Sequence, residues 1–436
     1  MFSPSMFPKT AYFAGWLLLL MLILSIVQQI SGISLLWISG SAAWVAALLL
    51  WPKLKTNQRV QALMLFGIGM VLMAIAYSRG TVASLEQAIG LNQPILAMLA
   101  AVSFLKLIRN EDENDDKIPV GIGAFFRTLF GINFLGSAIN VTALIIVTDR
   151  LHQSAPFGRL QALVANRAFC LSVMFSPFIA GMALTLASVP GSSLGKLATF
   201  GLPFAIIGML LSAALLSIRH GSEIRKFRGY PLHFDSLFFP VLLVVLVLFV
   251  NRVFPALSIL TLIAILTPSL IIAILVFNQG YQQCFTRLGN HVTRGLADMS
   301  GELWLFLCAG VFATGLTSLV QSTGGWTPFD TFDAWSASLT LAGITLVSII
   351  GVHPIICVSF LAPIIMPVDP PPNLLAMVFI LGWAIGCSLS PFSGTNLILQ
   401  GRFGIPSWHI TRWNLLYGAL LLLLGFALLY LLEHLS

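Results

Sequence analysis

Ser176-Pro177-Phe178-Ile179-Ala180-Gly181 and Ser390-Pro391-Phe392-Ser393-Gly394-Thr395-Asn396 decide the fold. Each Ser-Pro-Phe interrupts an apolar stretch, residues 166–189 and 373–400, long enough to cross a bilayer. Proline removes a backbone donor and clashes with the preceding turn, so each stretch reads as a discontinuous helix, with a simple proline kink as the plainer alternative. About 40 residues ahead of each break, by the spacing test for internal repeats, stands a second anomaly. Residues 119–148 and 337–366 are too long for one comfortable span. Both carry small or polar residues in the middle, Gly136-Ser137-Ala138-Ile139-Asn140 and Gly351-Val352-His353-Pro354. The halves are too short to cross, which predicts two re-entrant helical hairpins rather than two kinked helices.

Working outward, the same order recurs at an offset of about 215 residues, the mark of a repeat. Residues 1–32 form a first transmembrane helix. Residues 33–218 form repeat unit 1: three spans, hairpin 119–148, broken helix 166–189 and a final span. A cytoplasmic linker follows at 219–235. Residues 236–436 form repeat unit 2: three spans, hairpin 337–366, broken helix 373–400 and a final span. The expected architecture is an all-α polytopic membrane protein with about 11 transmembrane helices, plus the two hairpins, in two inverted-topology repeats.

Composition agrees. Of 436 residues, 58% are hydrophobic and 8% charged, against about 25% charged in a soluble domain. The net charge of +7 does not call for nucleic acid. With the N-terminus in the cytoplasm and both hairpins returning to their own side, Lys53, Lys55, Arg59, Arg109, Lys117, Arg150 and Arg159 all fall inside. So do Arg219, Arg225, Lys226, Arg228, Arg287, Arg294, Arg402 and Arg412. The outer loops receive Arg79, Lys196 and Arg252 with three aspartates, a positive-inside pattern. If either long segment crossed, the loops after it would change sides. The expected location is a bacterial-type inner membrane, N-terminus inside and C-terminus outside. The cysteines are scattered, without metal-ligand spacing, so neither a disulfide nor a metal centre is expected.

On these residues the chain resembles the ion transporter superfamily, and within it the divalent anion/sodium symporters. The resemblance covers almost the whole chain. The symporters carry Ser-Asn-Thr at each hairpin tip. Here the first tip offers Ser137, Asn140 and Thr142, spread rather than adjacent, and the second offers Gly351-Val352-His353-Pro354. The resemblance implies a homodimer and an elevator movement of hairpins and broken helices against a static scaffold.

Inverted repeats with broken helices place substrate near the midplane, where helix N-termini present free amides and partial positive charge to an anion. The candidate substrate-binding residues are Ser137, Asn140, Thr142, Ser176, His353, Ser390, Ser393, Gly394, Thr395 and Asn396, with helix breaks at Gly136, Pro177, Gly351, Pro354 and Pro391. Small polar residues also pack helices and cap freed backbone, which is the competing role for each. His353 could carry a proton, bind an anion or be structural. Carbonyls near Asn140 and Asn396 could hold a sodium ion, so the coupling ion is Na+ or H+. Arg127 could neutralise substrate or snorkel to the interface.

None of the fifteen acids falls in the middle of an expected span. A cation/proton antiporter normally needs such a carboxylate. The expectation is therefore a secondary transporter of a small anion, an organic acid or oxyanion, and not an enzyme. A cation/proton antiporter on the same scaffold is the alternative. An intramembrane lipid-linked sugar transferase or polymerase fits less well, because no large polar loop carries catalytic residues. The expected partners are a small anionic substrate, membrane lipid and a second copy in a homodimer, and not nucleic acid.

Overall fold

Apolar runs this long leave the backbone only its own helix to bond with, and the computed structural model is all-α. It describes residues 9–108, 118–231, 235–324 and 326–435. Arg109, Lys117 and the acidic loop 111–116 lie outside them. In chain order the helices are α1 (Lys9–Ser31), α2 (Leu36–Leu50), α3 (Thr56–Ser78), α4 (Leu85–Gly90), α5 (Gln93–Val102), α6 (Ile122–Ile139), α7 (Val141–Ser154), α8 (Arg159–Leu171) and α9 (Ala180–Ser188). Then follow α10 (Leu194–Ile224), α11 (Asp235–Val253), α12 (Ile259–Asn290), α13 (Ser300–Ser322), α14 (Ala334–Ile349), α15 (Pro354–Ile365), α16 (Pro372–Leu389), α17 (Gly394–Phe403) and α18 (Ser407–Leu435).

By length and composition, eight stretches among the described residues could cross a membrane, and the chain is a multi-pass membrane protein. Eight differs from about eleven partly because 259–322 runs as one stretch through α12 and α13. Some expected spans are assembled from pieces. The stretch 90–108 is α5 preceded by the one-and-a-half turns of α4 and followed by a tight turn at 103–108. The linker expected at 219–235 begins as helix, since α10 continues to Ile224 through a kink at His220.

The chain divides into two compact units that do not follow the repeat boundaries. The first holds residues 1–109, 243–326 and 359–364; the second holds 110–242, 327–358 and 365–436. Each repeat thus gives its leading spans to one unit, and its broken helix and last span to the other.

The first unit is packed through small residues. α3 and α13 approach so closely that a Cβ at Gly69 would lie 2.8 Å from the Phe312 backbone. Without a hydrophobic drive between helices in lipid, such close contact supplies the packing energy. Polar ties reinforce it: Asn92 Nδ2 donates to Phe306 O at 2.8 Å, and Trp304 Nε1 to Ala47 O at 2.7 Å.

The second unit centres on α16, whose residues 374–389 are all buried. Around it stand α8, α9, α14 and α18. This unit contains the connections at both expected hairpin tips and both helix breaks.

Candidate functional site

The first reversal is made by one residue. α6 has 18 residues, about 27 Å, at the lower limit for a span and one of the eight stretches that could cross, whereas α7, with 14 residues and about 21 Å, is too short to cross a hydrocarbon core about 30 Å thick. Asn140 ends one helix and starts the next, at φ 54°. Asparagine tolerates positive φ better than other side chains, and its Oδ1 accepts the Val141 N–H at 2.8 Å, satisfying an orphan amide. Gly136 is therefore not the break. It lies inside α6, where a Cβ would meet the Phe169 ring at 2.9 Å. Ser137 Oγ donates back to Phe134 O at 2.7 Å, and half-buried Thr142 sits in the first turn of α7. Arg127 is exposed on α6.

The second connection, between α14 and α15, spans 350–353. Gly351 holds φ 110°, open only to glycine, and a Cβ there would meet the Phe392 ring at 2.6 Å. Pro354 does not interrupt a helix; it opens α15, where its missing N–H costs nothing. Half-buried His353 accepts the Ile355 N–H on Nδ1 at 3.2 Å, and its ring stands edge-on to Trp383. That bond leaves Nε2 to carry the proton of a neutral ring.

The two breaks differ in chemistry. At the first, between α8 and α9, the Ser176 hydroxyl donates to the Ser137 carbonyl of the hairpin tip and accepts the Phe178 N–H. α9 then begins after Ile179 without a side-chain cap, and a Cβ at Gly181 would come 2.5 Å from the Trp383 indole. At the second, Ser393 Oγ accepts the Asn396 N–H at 3.3 Å and caps α17. Nothing lies within 4 Å of a Cβ built at exposed Gly394, the first residue of α17. Ser390 is fully buried and its Oγ has no partner among the described residues. Thr395 is buried, its hydroxyl 4.0 Å from Cys170 Sγ.

Asn396 is committed inside the protein. Its Nδ2 donates to Ser390 O at 2.8 Å, clamping the break, and its Oδ1 accepts from Asn166 Nδ2 at 2.7 Å. Asn166 Oδ1 takes Asn414 Nδ2 at 2.8 Å, and Asn414 Oδ1 takes Arg167 Nε at 2.8 Å. The Arg167 guanidinium lies over the Tyr417 ring, 4.4 Å from its centroid. A buried amide chain thus runs from the α17 N-terminus to an arginine.

Asn166, Arg167 and Asn414 were missed from sequence because the first broken helix was expected to start at 166. It starts at Arg159, which puts Asn166 and Arg167 in its body, while Asn414 lies in α18. The available signal was an Asn-Arg pair joined to an apolar run, expensive in lipid unless satisfied. Asn140 and Asn396 stand in different settings: the first tip is tied to the first break, and the second break is tied to α8 and α18.

Comparisons with known proteins support the architecture. No family model matches the chain, and no curated protein does. Among solved structures, the chain is similar to the YdaH transporter of Alcanivorax borkumensis, whose crystal structure was described as having an unusual topology. The TM-score is 0.52 at 15% sequence identity, over 85% of this chain and 98% of that one. At that identity the likeness is one of fold: this chain shares the helical architecture of that protein.

Proposed function

We propose that the protein is a secondary active transporter of a small anion, an organic acid or oxyanion. The reading rests first on the open N-terminus of α17. A ten-residue helix presents about half a positive charge at that end, and free space lies beside Gly394. The unpartnered Ser390 hydroxyl and the Nδ2 of Asn140, which has no bond among the described residues, are further donors.

Carboxylates do not contest this sign. Asp149, in the body of α7, pairs with Arg402 at 2.8 Å on the exposed side, and Glu302 lies in the first turn of α13. Among the described residues, a cation/proton antiporter has no acid at the breaks to work with.

The driving ion is Na+ or H+. Sodium would be held by carbonyls and hydroxyls; a proton would ride on His353 or on the substrate. The unit holding the reversals and breaks is the natural moving part of an elevator cycle, and a homodimer would supply the fixed frame. The inner-membrane placement, with the N-terminus inside, follows the loop charges.

The test is thermal melting of purified protein against carboxylates and sulfate, with and without sodium, followed by uptake of the best ligand into proteoliposomes. Stabilisation by an anion and gradient-driven uptake support the reading; stabilisation by cations alone overturns it. If His353 carries the proton, His353→Gln abolishes pH-driven uptake and leaves binding measurable. Unchanged pH dependence removes His353 from the cycle.

A further inference from the structure

A second basic feature lies at the other end of the buried amide chain. Arg159, Arg167, Arg219, His220, Trp413 and Tyr417 line a narrow crevice between the start of α8, the end of α10 and the start of α18, about 280 Å³ with its open mouth. The three arginines form a gradient of burial: Arg219 is exposed, Arg159 half-buried and Arg167 only 4% exposed.

No carboxylate answers them among the described residues. Arg167 meets only neutral partners: Asn414, Ser212 Oγ at 3.5 Å, Trp413 O at 3.5 Å and the Tyr417 ring. Arg159 stacks on Trp413 at 5.0 Å, and its buried Nε has no hydrogen-bond partner. Glu223 is the nearby acid on α10, and it is held by His220 Nδ1 at 2.8 Å. Buried charge is normally paired because leaving it unpaired is costly. Three guanidinium groups converging without an acid are arranged for a planar or tetrahedral oxyanion.

We propose that this crevice is a separate anion site that takes a phosphate group at its mouth, between Arg159 and Arg219, with Arg167 at its base. The closed part has room for about one water, so the anion seats above Arg167 rather than beside it. The loop charges put this end of the unit at the cytoplasmic face, where the phosphate can come from a free anion or from an acidic lipid headgroup. The inference does not depend on the proposed transport function, because none of these residues belongs to the second break.

The test uses full-length protein in neutral detergent. One arm follows melting against inorganic phosphate, with chloride at matched ionic strength as control. The other follows retention of phosphatidylglycerol against phosphatidylcholine by native mass spectrometry. Wild type should melt about 2–4 °C higher with phosphate, or retain phosphatidylglycerol selectively, the first result naming a free anion and the second a lipid. Arg159→Gln with Arg219→Gln should abolish the response. Arg219→Glu, a change at an exposed position, should weaken it about tenfold without affecting the fold. No response in either arm, or the same response in wild type and all variants, overturns the proposal.

Discussion

The two Ser-Pro-Phe breaks begin with the same three residues and end as different devices. After Phe178 the chain reads Ile-Ala-Gly-Met, and the break is closed by protein: Ser176 bonds the neighbouring hairpin tip and Gly181 lies under Trp383. After Phe392 it reads Ser-Gly-Thr-Asn, and the helix start is capped by Ser393, clamped by Asn396 and open beside Gly394. The shared Ser-Pro-Phe fixes where the backbone breaks; the residues that follow decide whether the break is closed by packing or left open.

The largest expected effect is at Asn396. Its replacement by Ala removes a clamp on Ser390 O and leaves Asn166 Nδ2 unpartnered, each costing about 1–3 kcal/mol when buried. Anion affinity should fall by about one to two decades, with a lower melting temperature. Equal affinity and stability would show that the clamp does not shape the site. Asn396→Asp is a poor test of ligand sign, because it also sets a carboxylate against the Ser390 carbonyl.

Glycine substitutions test the comparison on stability alone. Gly181→Ala forces a methyl against the Trp383 ring and should cost about 1–3 kcal/mol by overpacking. Gly394→Ala has open space and should change stability by less than about 1 kcal/mol. Equal losses in chemical denaturation would mean that the two breaks are packed alike.

A smaller effect separates side chain from backbone at Asn140. Alanine at φ 54° is strained by about 1–2 kcal/mol, whereas glycine is not. Asn140→Gly should therefore melt above Asn140→Ala. Any loss of anion binding in the glycine variant reports the lost amide with little backbone strain. If the two variants melt together, the reversal is not held by this residue.

Much of the fold was legible because its signals are local and costly to fake. Proline in an apolar run, glycine or asparagine at a reversal, and basic loops each leave a mark on the sequence. The all-α class followed from them, while the helix bounds did not: α10 and α12 run to Ile224 and Asn290, beyond the expected spans. Gly136 misled because a buried glycine can mean close packing as readily as a turn, and here it makes room for Phe169. The amide chain was not legible, since Asn166, Asn396 and Asn414 meet across some 230–250 positions of sequence. Nor was the commitment of Asn396 to internal bonds; its residue type announces a donor but not where the donor is spent.

The sign of the ligand is the central claim, and Gly394 gives the most direct measurement of it. Aspartate at the first position of α17 favours the helix through its dipole and has room, so folding should be kept. Asparagine there is the neutral control of the same shape. Titration of both variants with the best anion from the panel should show Gly394→Asp binding at least tenfold more weakly than Gly394→Asn, the expected consequence of like charge at short range. Equal or tighter anion binding by Gly394→Asp would contradict the account and point to a cation at the second break.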